Sequence, residues 1–187
     1  MDSLKLARKA SPVLFLVAAL CSGCEKQDYP KTELFTWKAK VDVTSKGKLS
    51  VNIENRDGID GGEGSKKVVD DDVNTKFLIF SYAPNFYMQL EFPQAQQVAS
   101  YSLTSGGDAP LRDPKNWKFS GSNDAATWTD LDTRKDEVFA GRTQTRFFSF
   151  KNTTAYKYYR ISISSIGSGD LFQLSEWRVI EVPEDQQ

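Results

Sequence analysis

Residues 113–124 read Asp-Pro-Lys-Asn-Trp-Lys-Phe-Ser-Gly-Ser-Asn-Asp. In the middle of this stretch Trp117, Lys118 and Phe119 alternate between apolar and polar side chains, and a period of two residues is typical of a half-buried β-strand. The stretch ends in Gly121-Ser122-Asn123-Asp124, residue types that favour a tight turn. The sequence therefore predicts a short strand that stops at a turn. Short strands and turns also alternate along much of the rest of the chain.

Short strands divided by turns are predicted from residue 67 onward. Met88–Phe92 alternates strictly, and the small polar stretches at 105–108 and 166–169 predict turns. Further predicted strands lie at Phe77–Phe80, Val98–Thr104, Arg146–Phe150, Tyr158–Ile163 and Leu174–Val179. Because no convincing amphipathic helix interrupts this series, the expected fold is an all-β sandwich or barrel.

The first 24 residues predict an export signal. Lys5, Arg8 and Lys9 give a basic start, and the apolar run Val13–Leu20 follows. This run is too short to span a bilayer, which takes about 20 apolar residues. It ends at Cys21-Ser22-Gly23-Cys24, which resembles a bacterial lipobox with Cys24 as the acylated residue. We expect a protein lipid-anchored to a bacterial membrane, the outer membrane in our interpretation; the alternative is an ordinary cleaved signal peptide.

Histidine and cysteine usage excludes much enzyme chemistry. No histidine occurs among the 187 residues, and removal of residues 1–23 would leave Cys24 as the one cysteine. This excludes Ser-His and Cys-His catalysis, His-bearing zinc sites and disulfides. The formal net charge of −1 gives no basic surface of the kind that binds nucleic acid, so we expect no nucleic-acid partner.

The domain order follows from these segments. Two strands, Phe35–Val43 and Leu49–Ile53, are predicted before the main series, and they either begin the sandwich or form a small separate piece. The predicted segments are a signal peptide at 1–23, a polar tether at 24–33, N-terminal strands and a loop at 34–60, the main domain at 61–182 and a tail at 183–187.

From about residue 60 to 181 the chain resembles the discoidin family, also called the coagulation factor type C domain family, which shares its fold with the family-32 carbohydrate-binding modules. Val68–Phe77 is similar to the family's Asp-Gly-Asp-x-x-Thr-x-Trp segment, with Asp71 in place of Gly and Phe77 in place of Trp. Further matching stretches lie at Tyr101–Ser105, Asp113–Asp124, Trp128–Asp132 and Gln173–Trp177. The resemblance implies a galactose-binding-domain-like jelly-roll β-sandwich, a fold that serves glycans, lipids and proteins alike.

The resemblance also implies a structural calcium between the early loop and the final strand. The matching residues are Asp70, Asp72, Thr75 and Glu176. Carboxylate, hydroxyl and carbonyl oxygens are the ligands that Ca²⁺ prefers, with Asp72 giving mainly its carbonyl. The residues alone favour a different interpretation, in which Asp70-Asp71-Asp72 is a solvated turn with its own hydrogen bonds.

The resemblance places ligand sites on loops at one end of the sandwich. An aromatic ring that stacks on a pyranose, together with a few polar groups, is typical of a sugar site. The candidate ligand-binding residues are Tyr82, Asn85, Phe86, Asp108, Arg112 and Phe172. Each aromatic could instead belong to the core, and Asp113, Pro114 and Trp117 are interpreted as a structural turn and core. The His–Arg pair of some galactose-binding members has no counterpart here, because the chain lacks histidine.

We therefore expect a membrane-anchored, non-catalytic module that binds a glycan and is stabilised by calcium. The resemblance suggests neighbouring glycan-uptake proteins as partners. A protein-interaction or adhesion module is the alternative, which loops ending in bare apolar residues would favour. A carboxylate-based glycoside hydrolase is the third hypothesis, but no stretch singles out a pair of acids. Arg142 and Arg146 predict a solvated, charged hairpin edge.

Overall fold

The computed structural model describes residues 40–181, and this range is almost entirely β-structure. It holds eleven strands, three short 3-10 helices at Thr44–Lys46, Ser65–Val69 and Pro110–Arg112, and no α-helix. The strands are β1 Val41–Asp42, β2 Lys48–Val51, β3 Phe77–Ile79, β4 Phe86–Gln96, β5 Val98–Thr104, β6 Pro114–Ser122, β7 Thr129–Arg134, β8 Thr145–Ser149, β9 Tyr156–Ile166, β10 Phe172–Leu174 and β11 Glu176–Glu181.

Two antiparallel sheets contribute to one hydrophobic core. The larger sheet has five strands in the order β2-β4-β9-β6-β7, and the smaller has four in the order β1-β11-β5-β8. β10 and β3 form a separate antiparallel pair. The prediction of an all-β jelly-roll sandwich is confirmed, although the polar strand β7 is not among the predicted strands.

Alternation along β4 builds one wall of the core. Phe86, Met88, Leu90 and Phe92 are fully buried, whereas the side chains between them are only partly buried. Successive side chains of a strand point to opposite faces, so these four share the inner face. The strand begins two residues before the predicted stretch, and this extension is what carries Phe86 into the core.

A hydrogen-bonded tyrosine lies within the aromatic core. Tyr101 of β5 stacks on Phe119 of β6, with 4.5 Å between the ring centroids. Its hydroxyl accepts a hydrogen bond from Nε1 of Trp117 at 2.7 Å and donates to a carboxylate oxygen of Asp132 at 2.8 Å. Burial raises the pKa of Tyr101 above its ordinary value, so the hydroxyl stays protonated. The bridge ties β5 to β6 and β7.

The residues before position 52 supply one edge strand to each sheet. β1 pairs with β11, and β2 pairs with β4. Gly47 separates the two strands, and a Cβ at this position would lie 3.1 Å from Leu90 and 3.2 Å from Phe92. The close packing of this turn on the core therefore favours glycine.

Several predictions lie outside the described residues. They are the signal peptide at 1–23, the acylated Cys24, the tether at 24–33, the first part of the strand Phe35–Val43 and the tail at 183–187. Between residues 40 and 181, no helix is long and apolar enough to cross a membrane.

The strand registers bring five loops to one end of the sandwich, called here the loop end. Phe86 at the start of β4 pairs with Ile163 near the end of β9, and Glu176 at the start of β11 pairs with Thr104 at the end of β5. The loops at this end are 52–76, 80–85, 105–113, 135–144 and 167–171. The candidate metal and ligand residues all lie on these loops or at the strand ends beside them.

Replacement of Tyr101 by phenylalanine tests the tyrosine bridge. Tyr101→Phe leaves the buried indole N–H of Trp117 without its acceptor, and we expect the free energy of unfolding to fall by about 1–3 kcal/mol. Urea unfolding of the full-length chain measures the change. Tyr158→Phe is the matched control, since its hydroxyl donates to Glu91 in a partly exposed setting, and it should cost less than about 1 kcal/mol. Equal losses in the two variants would contradict a special role for the bridge.

Candidate functional site

Three of the four candidate metal residues lie in a single turn. The 3-10 helix Ser65–Val69 ends at Asp70, and Asp71 follows with a φ of 65°, in the left-handed region that favours glycine. The carbonyl of Asp72 accepts hydrogen bonds from both the amide and the hydroxyl of Thr75, each at 3.1 Å. The same hydroxyl lies 2.9 Å from a carboxylate oxygen of Asp70.

Glu176 closes this cluster from the strand side. It is 3% exposed, and its Oε1 accepts a hydrogen bond from the amide of Asp72 at 3.0 Å. Nε of Arg178 lies 2.9 Å from Oε2 without the alignment of a hydrogen bond, so this buried oxygen has no donor among residues 40–181. Burial, together with the adjoining carboxylate of Asp70, raises the pKa of Glu176 to about 7 against the opposing charge of Arg178.

These oxygens fit a hard cation. They comprise the carboxylates of Asp70 and Glu176, the hydroxyl of Thr75 and the carbonyl of Asp72, all ligand types that Ca²⁺ accepts. A positive charge would give Oε2 of Glu176 a partner, and it would reduce the repulsion between the carboxylates of Glu176 and Asp70. Partial burial of Asp70 raises its pKa, but hydrogen bonds led by that from Thr75 outweigh this and lower it. Among residues 40–181 no three acidic, histidine or cysteine residues form a metal cluster, so hydroxyl and backbone oxygens would have to complete the set.

Two of the predicted aromatic platforms are core residues. Phe86 and Phe172 have no exposed surface, and their ring centroids lie 4.8 Å apart. Phe77 packs on both rings, at 6.1 Å and 6.2 Å. The prediction that Phe86 and Phe172 contact a ligand is therefore wrong, because a buried ring offers no face to a sugar.

Tyr82 and Asn85 lie on the 80–85 loop. Tyr82 is half-buried, stacks on Phe172 at 6.4 Å between centroids, and donates its hydroxyl to the carbonyl of Ile163 at 3.1 Å. Burial raises the pKa of Tyr82 to about 12. Asn85 is exposed, and its carbonyl accepts a hydrogen bond from the side chain of Asn52 at 2.9 Å. Asn85 is thus the more accessible of the two.

Asp108 and Arg112 belong to a charged cluster that also holds Lys76 and Glu63. Nζ of Lys76 lies 2.7 Å from Asp108 and 3.5 Å from Glu63, and Arg112 lies 4.0 Å from Asp108. The hydrogen bond from Lys76 is the main reason that the pKa of Asp108 is lowered, so this carboxylate stays ionised. Sequence reasoning missed Lys76, because no local pattern links residues that are 32 positions apart.

Arg142 joins two loops and is not the solvated residue that the sequence predicted. Its guanidinium donates two hydrogen bonds to the carboxylate of Asp113, one of them at 3.0 Å, and another to the carbonyl of Asp108 at 2.9 Å. Asp113 is 6% exposed, and its burial raises its pKa despite the ion pair. The pair therefore fixes the 105–113 loop to the 135–144 loop and positions the backbone of Asp108.

Arg146 does lie on an edge strand, but it is not freely solvated either. It pairs with Glu137, and its guanidinium carbon lies 5.4 Å from the ring centroid of Phe139 and 5.1 Å from that of Phe148. The prediction of a solvated hairpin edge is therefore wrong for both arginines. Arg142 is positioned by a partner 29 residues away, whereas Arg146 is positioned by residues of its own hairpin.

Exposed apolar side chains also reach the loop end. Leu111 is 61% exposed and Val138 is 72% exposed. Both line a cavity of about 250 Å³ whose walls include Phe139 and Gly167. This apolar rim adjoins Asp113, so it lies beside the loop that carries Arg112.

Removal of the Arg142 guanidinium tests whether the ion pair holds the loop end. Arg142→Met leaves the carboxylate of Asp113 buried without its partner, and we expect a loss of about 2–3 kcal/mol in the free energy of unfolding, since Arg142 is partly exposed. The loss should shrink at acid pH, because the protonated form of Asp113 needs no cation. Arg112→Met is the matched control, with an expected loss below about 1 kcal/mol. Chemical unfolding at pH 4 and pH 7 measures both, and a loss that does not change with pH would contradict the assignment.

Solved structures of low sequence identity share this fold. A family 32 carbohydrate-binding module from Clostridium perfringens NanJ, in complex with galactose, is 15% identical with a TM-score of 0.61 and covers 76% of this chain and 100% of its own. A second Clostridium perfringens module, in complex with GalNAc-β-1,3-galactose, is 13% identical with a TM-score of 0.61, covering 74% and 99%. An F5/8 type C domain from Bacteroides fragilis is 13% identical with a TM-score of 0.63, covering 77% and 96%.

Sequence comparison identifies the family. Over 90 residues the chain is 37% identical to the peptide-N(4)-(N-acetyl-β-glucosaminyl)asparagine amidase of Arabidopsis thaliana, a match that covers 44% of this chain and 12% of that protein. The family model for the F5/8 type C domain matches residues 50–177. This chain therefore belongs to the F5/8 type C domain family.

Proposed function

We propose that this chain is a non-catalytic glycan-binding module, attached to a bacterial membrane through Cys24 and stabilised by a structural calcium. The observation that carries the proposal is the charged cluster of the loop end. Asp108 is held by Lys76 and, through its carbonyl, by Arg142, and Arg112 lies 4.0 Å from its carboxylate. The side chains of Asp108 and Arg112 are both partly exposed. An ionised carboxylate accepts hydrogen bonds from sugar hydroxyls, and a guanidinium donates to them. The carbohydrate complexes of the similar solved structures support the same function.

The charge states favour binding over glycoside hydrolysis. Hydrolysis needs a carboxylic acid with a raised pKa beside a second carboxylate, roughly 5 to 10 Å away. The pKa of Asp108 is lowered, so it would not serve as the acid. Glu176 has a raised pKa, but it is only 3% exposed, so a glycosidic oxygen would not reach its carboxyl group.

Replacement of Asp108 tests the glycan site. We expect Asp108→Ala to weaken binding of the full-length protein to its glycan at least tenfold, because an acceptor is lost and Arg112 loses its partner. Asp130→Ala is the matched control: both aspartates pair with a lysine, their side chains are 53% and 47% exposed, and Asp130 lies at the start of β7, away from the loop end. A broad glycan array followed by titration measures the effect. A blank array, or equal affinities of the two variants, would contradict the proposal.

A calcium at the Asp70–Glu176 cluster would supply a positive charge between two carboxylates and hold the 70–75 loop against β11. At a concentration near 100 times the dissociation constant, such a ligand stabilises by about 2.7 kcal/mol, or roughly 5–10 °C in melting temperature for a domain of this size. Glu176→Gln should abolish this shift and should not lower the melting temperature without calcium, since the glutamine removes a buried charge beside Asp70.

Asp72→Asn is the control for the calcium experiment. The Asp72 side chain accepts hydrogen bonds from Asn74, and only its carbonyl faces Thr75. The variant should therefore keep the calcium shift. Thermal unfolding of the full-length protein with calcium and with chelator measures all three proteins. Absence of a shift in the wild type, or its survival in Glu176→Gln, would contradict the site.

Two neighbouring cysteines allow a sharp test of the anchor. Cys24→Ala should abolish labelling with a fatty-acid analogue and release the protein from the membrane fraction, whereas Cys21→Ala should leave both unchanged, since Cys24 follows the small pair Ser22-Gly23. Density-gradient separation of bacterial membranes would then test the outer membrane. Labelling that depends on Cys21, or on neither cysteine, would contradict the assignment.

The apolar rim of Leu111 and Val138 favours a second candidate function, a protein-interaction module. Partner contacts made through this rim would be lost in Leu111→Asp and Val138→Asp. Site-specific crosslinking from position 138 to neighbouring membrane proteins, combined with a blank glycan array, would favour this function over the first.

A further inference from the structure

The outer face of the four-stranded sheet forms a trough, because β5, one of its two inner strands, carries small side chains there. Ser100, Ser102 and Thr104 of β5 alternate with core residues and therefore share the outer face. The register places Arg178 of β11 on one side of Ser102 and Phe147 of β8 on the other. Neighbouring strands lie about 4.8 Å apart, so the two walls stand roughly 10 Å apart. The enclosed groove has a volume of about 380 Å³.

The floor of the trough consists of hydroxyl groups. Oγ1 of Thr104 lies 2.8 Å from Oγ1 of Thr145. Ser102 and Thr104 are almost fully covered, whereas Thr145 of β8 is exposed. The wall on β8 is the ring of Phe147, which is 70% exposed. No other phenylalanine among residues 40–181 is as exposed. Thr145 and Phe147 lie two residues apart on β8, so an exposed hydroxyl stands beside an uncovered aromatic face, which suits a ligand with both hydroxyl groups and an apolar face.

The charges that line the trough pair among themselves. Arg178 lies 2.6 Å from Asp71, 2.9 Å from Glu176 and 3.9 Å from Asp42, and its side chain is 13% exposed. Lys40 adds one positive charge to the lining. With two cations against three carboxylates, the trough offers no strong field to a polyanion or a polycation, so the charges favour an uncharged ligand.

We propose that this trough is a second carbohydrate site, which takes one or two rings of an uncharged saccharide with a pyranose stacked on Phe147. The inference rests on the proposed glycan-binding function but uses a surface separate from the Asp108 cluster. The volume lies at the lower end of ligand pockets, about 300–1,000 Å³, and matches a short saccharide better than a protein surface. A protein partner is also less suited, because Phe147 and Val73 are the exposed apolar side chains of the trough and its arginine is already paired.

NMR on the full-length ¹⁵N-labelled protein in detergent tests the trough directly. The probes are lactose, cellobiose, maltose, xylobiose and chitobiose, each titrated to millimolar concentration. We expect amide shifts at Ser102, Phe147 and Arg178 with at least one probe. Phe147→Ala should weaken this binding at least fivefold and leave shifts at the loop end unchanged. Val138→Ala, which removes an equally exposed apolar side chain at the loop end, should leave the trough binding unchanged.

The outcomes separate the two proposals. Shifts at the loop end alone, or trough binding that is unchanged in Phe147→Ala, would overturn the trough site while leaving the proposed function intact. Concentration-dependent self-association that Phe147→Ala removes would assign the trough to a second copy of the chain and also overturn it. If no probe shifts any amide and the glycan array is blank, both proposals fail together.

Discussion

The antiparallel pairing of β5 with β11 joins the middle of the chain to its end, and the other features depend on it. On the inner face the pairing sets Leu103 beside Trp177, both fully buried. On the outer face it sets Ser102 beside Arg178, a small side chain beside a large one. At the loop end the same register brings Glu176 opposite Thr104, which is where the turn after Val69 meets the strand. A slip of one residue would exchange the two faces and expose the core residues.

Charged groups in this domain act mainly through partners distant in sequence. Arg142 binds Asp113 across 29 positions, and Arg178 binds Asp71 across 107. Buried or half-buried charges are costly without a partner, so each pair strongly favours one arrangement of the two segments that it joins. The loop end is therefore ordered by the protein itself, and a ligand that binds there would not have to supply the entropy cost of ordering it.

The sequence predicts the strands well because alternation is a local property. Met88–Phe92 predicts β4, and the pattern Phe86-x-Met88-x-Leu90 could have assigned Phe86 to the core had the period been continued backwards. Phe172 and Leu174 show the same period in β10. The alternation therefore contains the information that Phe86 and Phe172 belong to the core. A prediction that assigns them to loops does not use it.

The cluster of Asp70, Asp72, Thr75 and Glu176 could be predicted only through the family resemblance, because a turn and a strand 100 positions apart share no local pattern. Arg142 and Lys76 could not be predicted at all, since their partners are set by the packing of loops. The exposure of Phe147 could not be predicted either. Phe147 and Phe148 are adjacent in one strand and must face opposite sides of it, and the sequence does not show which of them is buried.

The segment from Asp70 to Lys76 lies between the two proposed carbohydrate sites. Asp71 and Val73 line the trough, whereas Lys76 holds Asp108 at the loop end. The turn itself is fixed to β11 through Arg178, which binds Asp71, and through Glu176, whose charged form is disfavoured by its burial and by Asp70. A cation that neutralises this pair would therefore order a segment that borders both sites, and it would also change the charge of the trough, because Glu176 lines the trough. On the proposed function, calcium would affect binding by positioning this turn. The effect would reach the loop end through Lys76 and the trough through Asp71 and Val73.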